Sequence, residues 1–281
     1  MDGTSRKKAL TPVDVVRVRG QEATAAADCA VVEEPLEIRL LGQPFAVIMR
    51  TPGADPELAL GFLLSEQVIA SGDDIGVLEH CTDPSADHPE NIVNATLVDA
   101  SSLDRLLADR RQVTTSSSCG MCGRRTIESL RADAAPIAAS WTIAPADLVP
   151  LADRLRAAQR VFDETGGLHA AGLFTPDGAL VDVAEDVGRH NAVDKVVGRA
   201  MMRDALPLSG VLLMVSGRSS FEIVQKAFLA GVPIVASVSA PSSLAIDLAR
   251  EAGITLVGFV RGDGCNVYTH PARLRSSPSP R

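Results

Sequence analysis

Apolar and polar residues alternate at Leu36, Ile38 and Leu40, the chain turns near Gly42-Gln43, and the alternation resumes at Phe45, Val47 and Met49. A period of two sends successive side chains to opposite faces, so this stretch predicts a β-hairpin. The period then lengthens. After Asp55-Pro56, where Asp can cap and Pro fits the first turn, Leu58, Phe62 and Ile69 fall near one helical face, and Ser71-Gly72 ends the segment. A strand over about 92–98 completes a small α+β unit placed at 31–112. Residues 1–30 show no sustained apolar period and include the alanine-rich run Ala23–Ala27, and residues 276–281 are small, polar and Pro-rich. Both ends are expected to be flexible tails.

The second half has a different rhythm. Leu148, Leu151, Leu155, Ala158 and Phe162 predict one amphipathic helix over about 145–162. A hairpin follows, from His169 through Pro176-Asp177-Gly178 to Val183, and then a helix over about 190–202. Three short apolar runs, Val211–Val215, Ile234–Val238 and Thr255–Val260, alternate with two helices. The first helix opens on a capping box, Ser219 to Glu222, and stops at Gly231; the second follows Pro241 and stops at Gly253. A βαβαβ order implies parallel strands in a layered α/β domain, here 126–275. Ligands of open α/β sheets collect at the carboxyl ends of strands. Those ends are Ser216-Gly217-Arg218, Ser239-Ala240-Pro241 and Arg261-Gly262-Asp263-Gly264.

Length and charge narrow the function classes. With 281 residues, 46% of them hydrophobic, the chain can bury a substantial core. Its net charge of -8 arises from 27 basic and 35 acidic residues spread along the sequence, which leaves no polybasic face and argues against nucleic acid as the main partner. No apolar run is long enough to span a bilayer, and the first residues lack the apolar stretch of a secretory signal, so a cytoplasmic location and no membrane association are expected. Five cysteines with one close pair do not form the framework of a small disulfide-stapled domain, so a special cysteine here is redox, metal-binding or nucleophilic.

That close pair is Cys119-Gly120-Met121-Cys122, in a Ser/Gly-rich loop placed at 113–125 and followed by Arg124 and Arg125. Two thiols at this spacing suit a redox disulfide, half of a zinc site, or a persulfide in which one sulfur holds cargo and the other assists. The two arginines favour the reactive thiolate. Zinc needs two further ligands, and Cys29, Cys81, Cys265 and the histidines offer no second close pair. A second polar cluster, Glu185-Asp-Val-Gly-Arg-His-Asn-Ala-Val-Asp-Lys195, turns at Gly188 into a helix, and such a density of charge calls for a polar ligand or an internal network. Arg189 and His190 at the helix entry are the ligand candidates. His169 serves either as a core histidine or as a site residue. A third cluster is the glycine-rich turn after the last apolar run, where Gly262 and Gly264 permit close backbone approach and Arg261 can face phosphate.

With these residues in place, the chain resembles the formate dehydrogenase accessory sulfurtransferase family from about Glu33 to Leu274. The resemblance rests on the cysteine motif at 119–123, the polar motif at 185–195, Glu222-Ile-Val-Gln-Lys226, Val238-Ser-Ala-Pro241, Leu256-Val-Gly-Phe259 and Asn266-Val-Tyr-Thr-His270. It implies a cytidine-deaminase-like fold for the C-terminal domain and a homodimer. It implies a protein that accepts sulfur from a cysteine desulfurase and passes it to bis-molybdopterin guanine dinucleotide before that cofactor enters apo formate dehydrogenase. The resemblance makes Cys119 the persulfide carrier, with Cys122 beside it, and assigns the cofactor loop to Phe259, Val260, Arg261, Gly262, Asp263 and Gly264. Arg189, His190 and Arg218 join as further candidates, and no permanently bound metal is implied. Many relatives carry a basic residue where this chain has Gly264, which leaves phosphate contact to Arg261 or Arg218.

Two rivals remain for comparison. A zinc deaminase needs His-x-Glu ahead of Pro-Cys-x-x-Cys, yet Ala171 and Ala192 follow His169 and His190 at the second place, and Ser118 precedes the cysteine pair. Deamination is thereby excluded. A non-catalytic chaperone that binds the cofactor or the apo-dehydrogenase differs from a carrier in one respect: Cys119 never bears a sulfane sulfur.

Overall fold

The computed structural model describes residues 9–99 and 135–275. It is a mixed α/β structure with three sheets. The first elements are β1 (Leu10–Arg19) and β2 (Glu22–Val31), an antiparallel ribbon pairing Leu10 with Val31 and Arg19 with Glu22. Over residues 10–30 a paired ribbon thus stands where a flexible tail was expected. β1 places Val16 and Val18 on exposed positions, which breaks the period of two, and β2 is rich in alanine, which has little strand preference of its own.

β3 (Glu34–Leu40) and β4 (Gln43–Arg50) form the expected hairpin, closed by Leu41 and Gly42 at φ 48° and 77°. Helix α1 (Asp55–Ser65), β5 (Ile75–His80) and β6 (Ile92–Leu97) complete a sheet of order β4-β3-β6-β5. Asp55 does not cap α1. Its carboxylate instead grips the buried guanidinium of Arg50 at 3.0 and 2.9 Å.

The expected helix over 145–162 is broken into α2 (Pro145–Leu148), α3 (Leu151–Ala158) and α4 (Arg160–Thr165). Pro150 has no amide to donate to the preceding turn, and Gln159 leaves helical geometry at ψ 81°. The start of α4 is capped from a distance, by the Glu185 carboxylate accepting from the Val161 and Phe162 amides at 3.0 and 2.8 Å. Then come β7 (His169–Phe174), β8 (Leu180–Asp186), α5 (Arg189–Met201), β9 (Leu212–Val215), α6 (Phe221–Leu229), β10 (Ile234–Ser237), α7 (Ser243–Glu251), β11 (Thr255–Arg261) and β12 (Gly264–Val267).

These strands make one sheet of order β12-β11-β10-β9-β7-β8, in which β9, β10 and β11 run parallel as the βαβαβ pattern requires. β9, β10 and most of β11 are buried on both faces, which is why they read as unbroken apolar runs. Leu213, Val215 and Val235 face a core shared with α5, α6 and α7, while Leu212, Met214 and Ile234 face Leu148, Leu151 and Leu155 of α2 and α3. The result is helix, sheet, helix. No helix among the described residues is long and apolar enough to cross a membrane.

The N-terminal sheet does not stand apart. Leu36, Ile38, Leu58 and Val93 belong to the same continuous core as Val193, Val196 and Ile223. α1 lies against α5 so closely that a Cβ on Gly61 would sit 2.1 Å from the Asp194 carbonyl oxygen, and one on Gly198 would sit 1.8 Å from that of Glu57. Only two glycines permit this approach.

Candidate functional site at the strand ends

β9, β10 and β11 finish side by side, and β7 starts beside the end of β9 because the two run antiparallel, with the Ser216 amide donating to the Ala170 carbonyl at 2.9 Å. Ser216, Val238, Val260, Arg261 and His169 therefore surround one opening, a cavity of about 440 Å³ whose far wall comes from α3 and α4. That size suits a small organic ligand. Ser216 Oγ accepts from the Ala170 amide at 2.8 Å, which leaves its own proton available to donate.

A bulge aims the end of β11. Gly258 pairs with Asn266 and Arg261 with Gly264, so two residues of β11 oppose one of β12, and Phe259 takes up the difference at φ 55°. The backbone at Gly258 has no spare room, since a Cβ there would meet Pro241 at 3.0 Å and the Ser239 oxygen and Tyr268 ring at 3.1 Å. Val260 consequently turns into the cavity wall and Arg261 to its rim, with the guanidinium 5.4 Å from the Phe259 ring centre. Of the six residues expected in the cofactor loop, Val260 and Arg261 line the cavity. Gly262, Asp263 and Gly264 form the turn beyond it. A Cβ on Gly264 would meet nothing within 4 Å, so a side chain would fit there.

The polar motif at 185–195 serves mostly as an internal network. Asp186 pairs with Lys195 at 2.7 Å, both fully buried, and accepts from the Gly188 amide and the Asn191 amide group at 2.7 and 2.8 Å. Asp194 holds Lys226 at 2.7 Å and receives the Ser65 hydroxyl. His190, expected as a ligand contact, has its Nε2 2.6 Å from the Glu222 carboxylate and 3.2 Å from the Ser220 hydroxyl, so that ring nitrogen is taken up inside the protein. This also explains why the expected capping box fails: Glu222 turns to His190, and Ser220, not Ser219, precedes α6.

Two groups beside the strand end are left over. Arg189 Nε and Ser219 Oγ are buried without a hydrogen-bond partner among the described residues. Arg189 lies behind the cavity lining, near His169: a Cβ on Gly217 would lie 3.4 Å from His169 Nδ1 and 3.9 Å from Arg189 Cδ. Burial, then the positive charges of Arg189, His190 and Arg218, push the His169 imidazole below its ordinary range, with Asp186 opposing them. A neutral ring among cations marks a place where an anion is favoured.

His169 titrates lower in the folded than in the unfolded chain, so it withdraws stability as pH falls below about 6.5. A bound anion reverses the cationic field and lifts the imidazole back, so binding takes up protons. Pyrophosphate affinity should rise between pH 7.5 and 6, and His169→Gln should flatten that rise; calorimetry at the two pH values measures both. An unchanged slope in the variant would remove His169 from the anion site.

Cys119 and Cys122 lie outside the described residues, as do the loop at 113–125 and the tail at 276–281. Cys29, Cys81 and Cys265 carry free thiols, and burial pushes that of Cys265 up, away from thiolate reactivity. Among the described residues no three His, Cys, Asp or Glu side chains gather as metal ligands. Asp153, Arg156 and Phe162 of the far wall had no signal in the sequence beyond helical spacing.

A mixed α/β protein with an anion-suited cavity at the carboxyl ends of parallel strands is the class these features define. Within it, the chain belongs to the FdhD/NarQ family, whose match covers residues 31–275. It is 50% identical over 270 residues to the sulfur carrier protein FdhD of Streptomyces avermitilis, covering 92% of this chain and 94% of that protein. It is 47% identical over 279 residues to the sulfur carrier protein FdhD of Mycolicibacterium paratuberculosis, covering 98% and 100%. A solved structure from Desulfotalea psychrophila, assigned as a formate dehydrogenase accessory protein, superposes with a TM-score of 0.73 at 24% identity over 95% of this chain and all of that one. That likeness bears on fold alone. The family match begins where the β1–β2 ribbon ends.

Proposed function

We propose that this chain is a cytoplasmic, homodimeric sulfur carrier for formate dehydrogenase maturation. What carries the reading is that relatives about half identical over nearly the whole chain are named sulfur carrier proteins, and this chain has the thiol pair Cys119 and Cys122. The Cys119 thiolate attacks the outer sulfur of a cysteine desulfurase persulfide; that S–S bond breaks, the desulfurase leaves as a thiolate, and the sulfur is now held on Cys119. For delivery, the Cys122 thiolate attacks the inner sulfur. A Cys119–Cys122 disulfide forms, the outer sulfur departs with the electron pair as sulfide to the metal end of bis-molybdopterin guanine dinucleotide, and a thiol reductant resets the pair.

The strand-end cavity supports the cargo part of this reading. Arg261 at its rim and the Ser216 hydroxyl suit a diphosphate. The deaminase-like arrangement of the C-terminal sheet belongs to the same proposal.

Mass spectrometry tests the transfer. Incubation with a cysteine desulfurase and cysteine should add one sulfur to Cys119, lost on mild reduction. Label found on Cys29, Cys81 or Cys265 but never on Cys119 overturns the assignment.

A further inference from the structure

The cavity holds one group that an anion site does not explain. Asp153, on α3, is the only carboxylate among the described residues lining it. Toward a diphosphate it is repulsive, so it needs a different purpose or a cation to neutralise it. The described cations nearest to it in the chain are engaged elsewhere. Its neighbour Arg154 donates to the Gly178 carbonyl, at the β7–β8 turn, and Arg156 pairs with Asp163 at 2.5 Å while lying 4.5 Å over the Phe162 ring. Asp153 itself makes no hydrogen bond or ion pair to another described residue. Around it the helical wall presents the apolar Ala152, Leu155 and Phe162 beside Arg156 and Gln159, whereas the strand-end wall carries the donors His169, Ser216 and Arg261. The two walls thus suit the two halves of one ligand, a flat ring and a charged phosphate.

We propose that Asp153 is the specificity-determining residue of the cavity, accepting from the ring N–H and the adjacent amino group of a 2-amino-4-oxopyrimidine edge. A carboxylate only accepts, and its two oxygens match two donors side by side. Guanine and a pterin both present that pair. Adenine presents an acceptor nitrogen at the corresponding place and leaves one carboxylate oxygen facing a lone pair. Selection by a group left without its partner is strong, because the wrong ligand must desolvate Asp153 without compensation. The inference rests on the reading that the cavity takes part of the cofactor, and goes beyond it by naming the group that reads the ring.

Calorimetry on the full chain with guanosine diphosphate, adenosine diphosphate, neopterin and pyrophosphate separates the possibilities. The native chain should prefer guanosine over adenosine diphosphate, and Asp153→Asn should weaken the guanine ligand about ten- to a hundredfold, the range for hydrogen bonds to a charged group. Pyrophosphate should bind the variant at least as well, with an unchanged melting temperature, because Asp153 lies exposed on the helix. If neopterin rather than guanosine diphosphate loses affinity in the variant, the same edge is read at the pterin end. An Asp153→Asn chain that keeps the native preference for guanine, with neopterin unaffected, overturns the inference and leaves the cofactor reading standing. Failure of the native chain to bind guanosine diphosphate, neopterin and pyrophosphate alike overturns both.

Discussion

Replacing Cys119 by Ala should abolish maturation of the client dehydrogenase while leaving the fold intact. The thiolate is the proposed attacking group in loading, and no described cysteine offers a substitute: Cys29, Cys81 and Cys265 are solitary, and the Cys265 thiol is pushed up by burial. Client activity in a strain carrying the variant should fall to the level of a strain lacking the protein, with an unaltered melting curve. Full activity in the variant would defeat the carrier reading and favour a chaperone that binds without transferring. Cys122→Ala should be milder, because an external thiol can replace the second sulfur in releasing sulfide.

Lys195→Met should cost about 3–5 kcal/mol of stability, the penalty for leaving a buried charge without its partner. Lys195 Nζ meets Asp186 at 2.7 Å and the Thr51 carbonyl at 2.8 Å, with both charged side chains fully buried. Thr51 follows β4 in the N-terminal half, and its amide donates back to Asp186 at 3.2 Å, so the pair fastens one half of the chain to the other. Urea denaturation should show a single transition moved to lower concentration. Adding Asp186→Asn to the variant should recover part of the loss, since no unpaired charge then remains inside. A double variant no more stable than the single one would mean that packing, not charge, sets the cost.

What the sequence disclosed depended on how local the cause was. The parallel strands were legible because their apolar runs and terminal glycines are neighbours in the chain, and Gly231 and Gly253 do end their helices at φ 75° and 72°. The Leu36–Met49 hairpin was legible from its period of two. The β1–β2 ribbon was not, because alanine packs too little to announce a strand. Long-range partners defeated the local rules elsewhere: Asp55 turns to Arg50, Glu222 to His190, and Glu185 caps a helix more than twenty residues upstream. The same effect governs the site. Arg261 and Ser216 were expected from strand ends, but most of the motif at 185–195 is spent inside the protein, and Asp153 sits on a helix whose spacing says only that it faces outward.

The contact between α1 and α5 has a consequence for how the gene can vary. At Gly61 and Gly198 the obstruction to any side chain is the backbone of the opposing helix, which cannot rotate aside. Every missense change of a glycine codon adds at least one carbon at that point. These two codons therefore have no conservative replacement, and a lineage that alters either must move a whole helix to accommodate it.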